Sequence, residues 1–276
     1  MENTASVLIL ISGFAHAVVN AILKAGNDKM SRRALIDGFS ALLLAPVAFF
    51  VPLPVNAWSW LIASAVVHGL YLFALIKSFE QSDMTVAYPI ARGLAPMLAA
   101  AGAVILFHEP ISLYIAAGIV SIACGVMFIG VSHRLQHSAL LWAVLTGVCI
   151  ASYTVIDAQG VRAAPTALSY IVWTFLLLGG NLATFFAVWR GKAFIASAVG
   201  QWKPGLAAGA LSVVTYGFAL FAFRLGATPR LAALRETSIL FGTAIAVVFL
   251  KERLTNLRLA GVLAIAVGAM VLIAAR

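Results

Sequence analysis

Residues 109–129 read EPISLYIAAGIVSIACGVMFI, and residues 252–272 read ERLTNLRLAGVLAIAVGAMVL. Each stretch opens with a glutamate, and each continues into an apolar run with glycines at matching places. From 113 to 130 there is no Asp, Glu, Lys or Arg. A helix needs about 20 mostly apolar residues to cross a bilayer. A membrane β-barrel instead uses alternating segments of about 10 residues. The apolar stretches here are too long for that and do not alternate, so they read as membrane helices.

Working outward with the same ruler gives ten spans: 5–25, 34–53, 57–77, 85–107, 111–132, 139–158, 166–189, 206–225, 229–250 and 255–275. The separators are polar or proline-bearing, among them residues 27–33, Pro52 to Pro54, Glu80 to Asp83 and His133 to His137. The longest link runs from Arg190 to Gly205. Composition agrees. Of 276 residues, 63% are hydrophobic and only 10% charged, and the mean hydropathy is +1.05. An ordinary soluble domain carries about 25% charged residues. A soluble enzyme, a disordered chain and a disulfide scaffold are therefore excluded. The net charge of +9 comes from Lys and Arg scattered between apolar runs. It forms no basic patch, so nucleic acid is not an expected partner. The partner that remains is the lipid bilayer.

The two opening stretches belong to a longer internal repeat. Residues 85–129 shifted by 143 match residues 228–272 at twelve of 45 positions, including Thr85/Thr228, Arg92/Arg235, Glu109/Glu252, Gly118/Gly261 and Gly125/Gly268. A shift of 134 lays the first span on the sixth and aligns Gly13 with Gly147. The expected organisation is five helices, duplicated: 1–133 and 134–276. Five is odd, so the second copy enters the membrane inverted. Inverted repeats of this kind put a substrate site near the midplane, between the halves.

Both halves carry Glu, eight residues, Gly, six residues, Gly. With ten spans and a five-helix duplication, this resembles the EamA family of the drug/metabolite transporter superfamily, over essentially the whole chain. The run Tyr88 to Gly93 is similar to a subgroup associated with phosphonate utilisation. The resemblance implies two inverted five-helix repeats and ATP-independent transport of a small metabolite. It implies no universal catalytic residue. The expected location is the bacterial inner membrane, as a multi-pass protein. A duplicated ten-helix chain can enclose a pathway alone, so the default expectation is a monomer.

Polar residues inside the spans are the site candidates. An ionisable group at the bilayer centre costs at least about 2.5–3.5 kcal/mol on insertion scales, so it faces a cavity or a partner. Arg92 and Arg235 occupy equivalent positions, and the guanidinium fork suits carboxylate or phosphate. The rival reading is an internal salt bridge. Neighbours on a helix do not face each other, so Glu236 would meet Arg92 or another helix rather than Arg235. Tyr88 lies one turn before Arg92. Pro89 and Pro96 make this fourth helix a candidate moving element. His16, Asn20 and Lys24 recur every fourth residue on one helix face. His68 and Tyr71 share a face with Ser64, while Trp173 and Tyr216 are further pathway candidates. Glu236, Asp157 and His16 are candidate proton-coupling groups. Pairing of Asp157 with Lys24 or Arg162 is the more conservative expectation. Glu109 is expected to sit at a helix boundary and accept N–H bonds there, and the motif glycines to permit close packing.

Several signals are absent. No P-loop, HExxH, paired CxxC or GxSxG occurs, so no enzyme, cofactor or metal is expected. Cys124 and Cys149 lie in apolar runs and read as small hydrophobes. Positive residues around the odd-numbered links outnumber those on the other side, twelve to four. That bias places both termini outside, whereas the family resemblance implies cytoplasmic termini.

Overall fold

A computed structural model describes residues 2–24, 28–81, 84–130, 137–250 and 255–275. Among these residues all regular structure is helical. The first half contains α1 (Glu2–Lys24), α2 (Lys29–Leu44), α3 (Trp58–Gln81), α4 (Met84–Phe107) and α5 (Leu113–Gly130). The second contains α6 (His137–Ala163), α7 (Ala167–Thr174), α8 (Gly180–Arg190), α9 (Lys192–Leu225), α10 (Thr228–Leu234), α11 (Ser238–Leu250) and α12 (Asn256–Ala274). Eight helical stretches are long and apolar enough to cross a membrane. A ninth, Leu113–Phe128, is apolar but shorter. Many large apolar side chains are exposed around the bundle, such as Phe49, Ile105, Leu113 and Val248, as a lipid-facing surface requires.

Several boundaries differ from the expected ones, among them the end of α2 at Leu44 rather than 53, and three differences have a clear local reason. α2 starts at Lys29 rather than 34, because the Asp28 side chain accepts the Ser31 N–H at 3.2 Å and the Ser31 hydroxyl at 2.7 Å, as an N-cap does. Arg32 and Arg33 are therefore helix residues, not link residues. Arg32 is buried and donates to Gln201 Oε1 at 2.8 Å and to the Ile22 carbonyl at 2.6 Å. The expected link from Arg190 to Gly205 is a short turn at Gly191 followed by helix. Gly191 has φ +53°, which glycine adopts without steric cost. α9 then runs 34 residues, about 50 Å at 1.5 Å per residue.

The third difference concerns breaks inside spans. The expected span 166–189 is α7 and α8 joined by a π turn, Phe175–Gly179. The expected span 229–250 is α10 and α11 joined by a 3₁₀ turn at Arg235–Thr237. The Thr237 hydroxyl donates to the Leu234 carbonyl at 2.7 Å across that turn. By contrast, α4 stays helical through Pro89 and Pro96.

The motif glycines fulfil the packing expectation. α5 and α12 cross so tightly that a Cβ on Gly125 would lie 2.7 Å from the Gly261 carbonyl oxygen. A Cβ on Gly118 would lie 3.1 Å from the Gly268 oxygen, and one on Gly268 would lie 2.7 Å from the Gly118 oxygen. These pairs are reciprocal: Gly118 and Gly261 match under the shift, as do Gly125 and Gly268. The Ser121 hydroxyl donates to the Ala264 carbonyl at 2.9 Å, and 121 and 264 also match under that shift.

At the end carrying both termini, two arginines cap each other's helices. Arg162 of α6 donates to the carbonyls of Phe223 and Gly226 at the end of α9, at 2.9 and 2.8 Å. Arg224 of α9 donates to those of Val161 and Ala164 at the end of α6, at 2.7 and 2.9 Å. These carbonyls have no partner within their own helices. Glu109 completes the cluster. It pairs with Arg162 at 2.5 Å and accepts the Thr228 N–H and hydroxyl, each at 2.7 Å. The sequence placed Glu109 at a helix start; the start it caps is that of α10. Its repeat counterpart Glu252 lies outside the described residues.

Candidate functional site

The 3₁₀ turn places the site. It lies between α10 and α11 and against α1 and α12. At this break the chain presents Arg235, Glu236 and Thr237 in succession, and a 3₁₀ turn, with three residues per turn, sends neighbouring side chains in different directions. Glu236 points toward α4: its Oε2 lies 2.9 Å from Arg92 Nε. Both side chains are nearly fully buried. Arg92 also donates from Nη2 to the Ser238 hydroxyl at 3.1 Å. Of the two expected partners for Glu236, the structure brings in Arg92. In this structure Arg92 is thus internally paired.

Arg235 is placed differently. Its guanidinium carbon lies 5.2 Å from the centre of the Tyr216 ring, within cation–π range. Among the described residues it has no ion pair or hydrogen bond. Arg92, Arg235 and Glu236 line one cavity of about 20 Å³ with Pro96, Tyr153 and Thr154. That is room for about one water.

Beneath Tyr216 lies the second buried carboxylate. Asp157 is fully buried. Its Oδ1 accepts the Tyr170 hydroxyl at 2.8 Å and its Oδ2 accepts the Tyr216 hydroxyl. The expected pairing with Lys24 or Arg162 is not what the structure shows. Arg162 is one and a half turns further along α6 and is taken by Glu109. The Lys24 side chain lies outside the described ones. Two hydroxyl donors, one on each oxygen, hold Asp157 where a cation was expected.

The remaining expected residues divide into two groups. His68 joins the cluster: its ring stacks on Tyr153 at 4.0 Å and meets Tyr216 edge-on at 6.2 Å, while Nδ1 is 2.9 Å from the Ser64 carbonyl. Tyr71 meets Tyr153 edge-on at 5.7 Å. His16 feels the charges of Arg92, Arg235 and Arg33, and its Nε2 is buried without a hydrogen-bond partner among the described residues. Trp173 instead packs on Trp58 at 5.1 Å. Asn20 is exposed on α1, and the Tyr88 side chain lies outside the described ones.

One residue near the site was assigned elsewhere by sequence reasoning. Arg33 pairs with Asp37 one turn on, at 2.7 Å, and its charge acts on Tyr71, Tyr153, His68 and His16. The signal was available as the four-residue Arg–Asp spacing. It was obscured because Arg33 follows Arg32 in what reads as a charged link. No group of His, Cys, Asp and Glu suited to a metal occurs among the described residues.

The fold and the cluster can now be set beside known proteins. The family model described as "EamA-like transporter family" matches residues 137–274. The chain belongs to the EamA-like transporter family. It is therefore a multi-pass membrane protein of a transporter family within the drug/metabolite transporter superfamily. A solved structure, described only as a crystal structure of a protein, superposes with a TM-score of 0.71 at 15% identity. The match covers 97% of this chain and 94% of that one, so the likeness in fold extends over both halves. No curated protein matches the sequence.

Proposed function

We propose that this EamA-family protein is a secondary, ATP-independent transporter that moves a small anionic or zwitterionic metabolite across the bacterial inner membrane by alternating access. Two inverted five-helix repeats, 1–133 and 134–276, would supply the alternation, with α2 and α5 among the ten crossings. The reciprocal Gly118–Gly268 and Gly125–Gly261 contacts support that reading. A pseudo-two-fold axis brings equivalent residues together in this way.

The observation that carries the substrate class is Arg235. It is a cation at a helix break, stacked on Tyr216 and lining a buried cavity without a carboxylate of its own. Broken helices in transporters bind ionic groups with their side chains and freed backbone. Arg235 would take the anionic group. Asp157, on the far side of Tyr216, would face an ammonium group if the substrate is a zwitterion. His68, Tyr71, Tyr153 and Tyr216 would form the aromatic wall, with His16, Asn20, Tyr88 and Trp173 along the pathway. Glu236, Asp157 and His16 are the groups available for proton coupling. No cofactor enters this reading, and one chain suffices for it.

One observation favours a second reading. Arg92 is internally paired, as it would be in an exporter of hydrophobic or cationic drugs that uses Glu236 and Asp157. The two readings separate in proteoliposomes. Flux of amino acids, carboxylates and phosphonates should appear under the first, and flux of organic cations alone under the second. Absence of flux for every compound would point to a membrane protein that binds or assembles without transporting.

A further inference from the structure

The two arginines are equivalent in the repeat, but the carboxylate between them is not. Gly93 stands where Glu236 has its counterpart. A Cβ on Gly93 would lie 2.7 Å from Met127 Cγ and 3.1 Å from the Ala123 carbonyl oxygen. Packing against α5 therefore keeps a larger residue out of the first half. The site holds two guanidinium groups and, among the described residues lining it, one acid, Glu236, and both arginine charges act on that acid. All three residues line the same 20 Å³ cavity. The contact with Arg92 is short, 2.9 Å.

We propose that Glu236 is a built-in competitor for the anion site: its carboxylate occupies, in the empty protein, the place that the anionic group of the substrate takes when bound. This rests on the anion-transport reading above and adds a regulatory element to it. A buried Arg92 with a second, half-buried cation beside it and no counter-charge is costly. The empty protein needs a carboxylate there, and the chain supplies its own. An entering carboxylate or phosphonate offers the same oxygens to the same guanidinium groups, so the two exclude one another. With Glu236 in place the cavity admits only about a water. Loading requires the side chain to leave Arg92, and unloading lets it return. The competitor thus sets a threshold affinity and keeps one carboxylate or anion against the two cations in both conditions.

The role has a signature that a brace for Arg92 would not have. Removing the charge at constant shape should strengthen anion binding, whereas losing a brace should weaken it. The full-length protein, purified in detergent, is titrated with sodium methylphosphonate, sodium acetate and glycine, and the thermal midpoint is followed. Four proteins are compared: wild type, Glu236→Gln, Arg92→Gln and the double variant. Glu236→Gln should melt lower without anion, rise further on titration, and half-saturate at a concentration at least about tenfold lower than wild type for at least one probe, a gain equal to one charge-assisted contact. Arg92→Gln should bind more weakly than wild type, because Glu236 then turns on Arg235. The double variant should recover at least the wild-type response. If wild type responds and Glu236→Gln responds no better, the competitor role is wrong and the anion site stands. Should Glu236→Gln fail to fold, a double variant as weak as Arg92→Gln alone overturns the role. If no probe shifts any of the four proteins, the anion reading falls and the competitor falls with it.

Discussion

Arg92 and Arg235 occupy matching positions under the 143-residue shift, and they have different surroundings. Arg92 sits in α4, which stays helical through two prolines, and it is held by Glu236 and Ser238. Arg235 sits where the matching segment breaks into a 3₁₀ turn, and its guanidinium lies over the face of Tyr216 with no ion pair among the described residues. In the empty protein one arginine is paired and the other is open. The 143-residue shift aligns the two cations; the next residue, Gly93 after one and Glu236 after the other, differs, and Glu236 pairs with Arg92.

That division can be broken most forcefully at Arg92. Arg92→Leu takes away the cation that Glu236 pairs with in the empty protein, and breaking a buried pair costs about 3–5 kcal/mol. Unfolding in mixed micelles should show a loss of that size, and Arg92→Leu combined with Glu236→Leu should recover most of it. A loss below about 1 kcal/mol for the single variant would mean that Arg92 is no more committed than Arg235.

Where the halves still match, their substitutions should match too. Gly125→Ala and Gly268→Ala each push a methyl group to 2.7 Å from a backbone oxygen of the facing helix. Overpacking of this kind costs about 1–3 kcal/mol, and the two variants should agree in size. Gly69→Ala is the control: nothing lies within 4 Å of its Cβ, so the same unfolding measurement should show no loss. Unequal costs at Gly125 and Gly268 would break the reciprocity of the α5–α12 crossing.

The smallest effect belongs to the start of α2. Partial desolvation pushes the Asp28 carboxyl up, but bonds from Arg190 and Ser31 outweigh this and hold it at about 2. A depressed carboxyl stabilises the fold above its unfolded value and stops doing so as pH falls toward 2. Asp28→Asn should therefore cost under about 1 kcal/mol, as exposed pairs do. The difference from wild type should be constant from pH 8 to 5 and shrink as the pH falls from about 4 toward 2. A difference that changes between pH 6 and 8 would mean another group is titrating.

Much of this arrangement was legible in the sequence. The run of apolar helices, close packing at the motif glycines and Arg92 as one possible partner of Glu236 follow from hydrophobic run length, repeat spacing and the geometry of adjacent residues. Other parts were not legible. Helical periodicity says nothing of where a span breaks, so the turn at Arg235–Thr237 looked like continuous helix. A charged run such as residues 28–33 looks like a link until an N-cap and long-range partners such as Gln201 and Ile22 draw it into a helix. Asp157 looked as if it needed a cation, since sequence shows charge but not that two tyrosines from α7 and α9 converge on one carboxylate. The mutual capping by Arg162 and Arg224 joins residues 60 apart, beyond any local pattern.

The central claim is that Arg235 is the open cation of the transport site. Its most direct test is uptake of a transported anion, once the proteoliposome panel has identified one, by Arg235→Gln beside wild type at matched folded yield. A charge-assisted hydrogen bond is worth about 1.5–3 kcal/mol. The account expects initial uptake at sub-saturating substrate to fall about 10- to 100-fold with the thermal midpoint little changed. Uptake equal to wild type would contradict it.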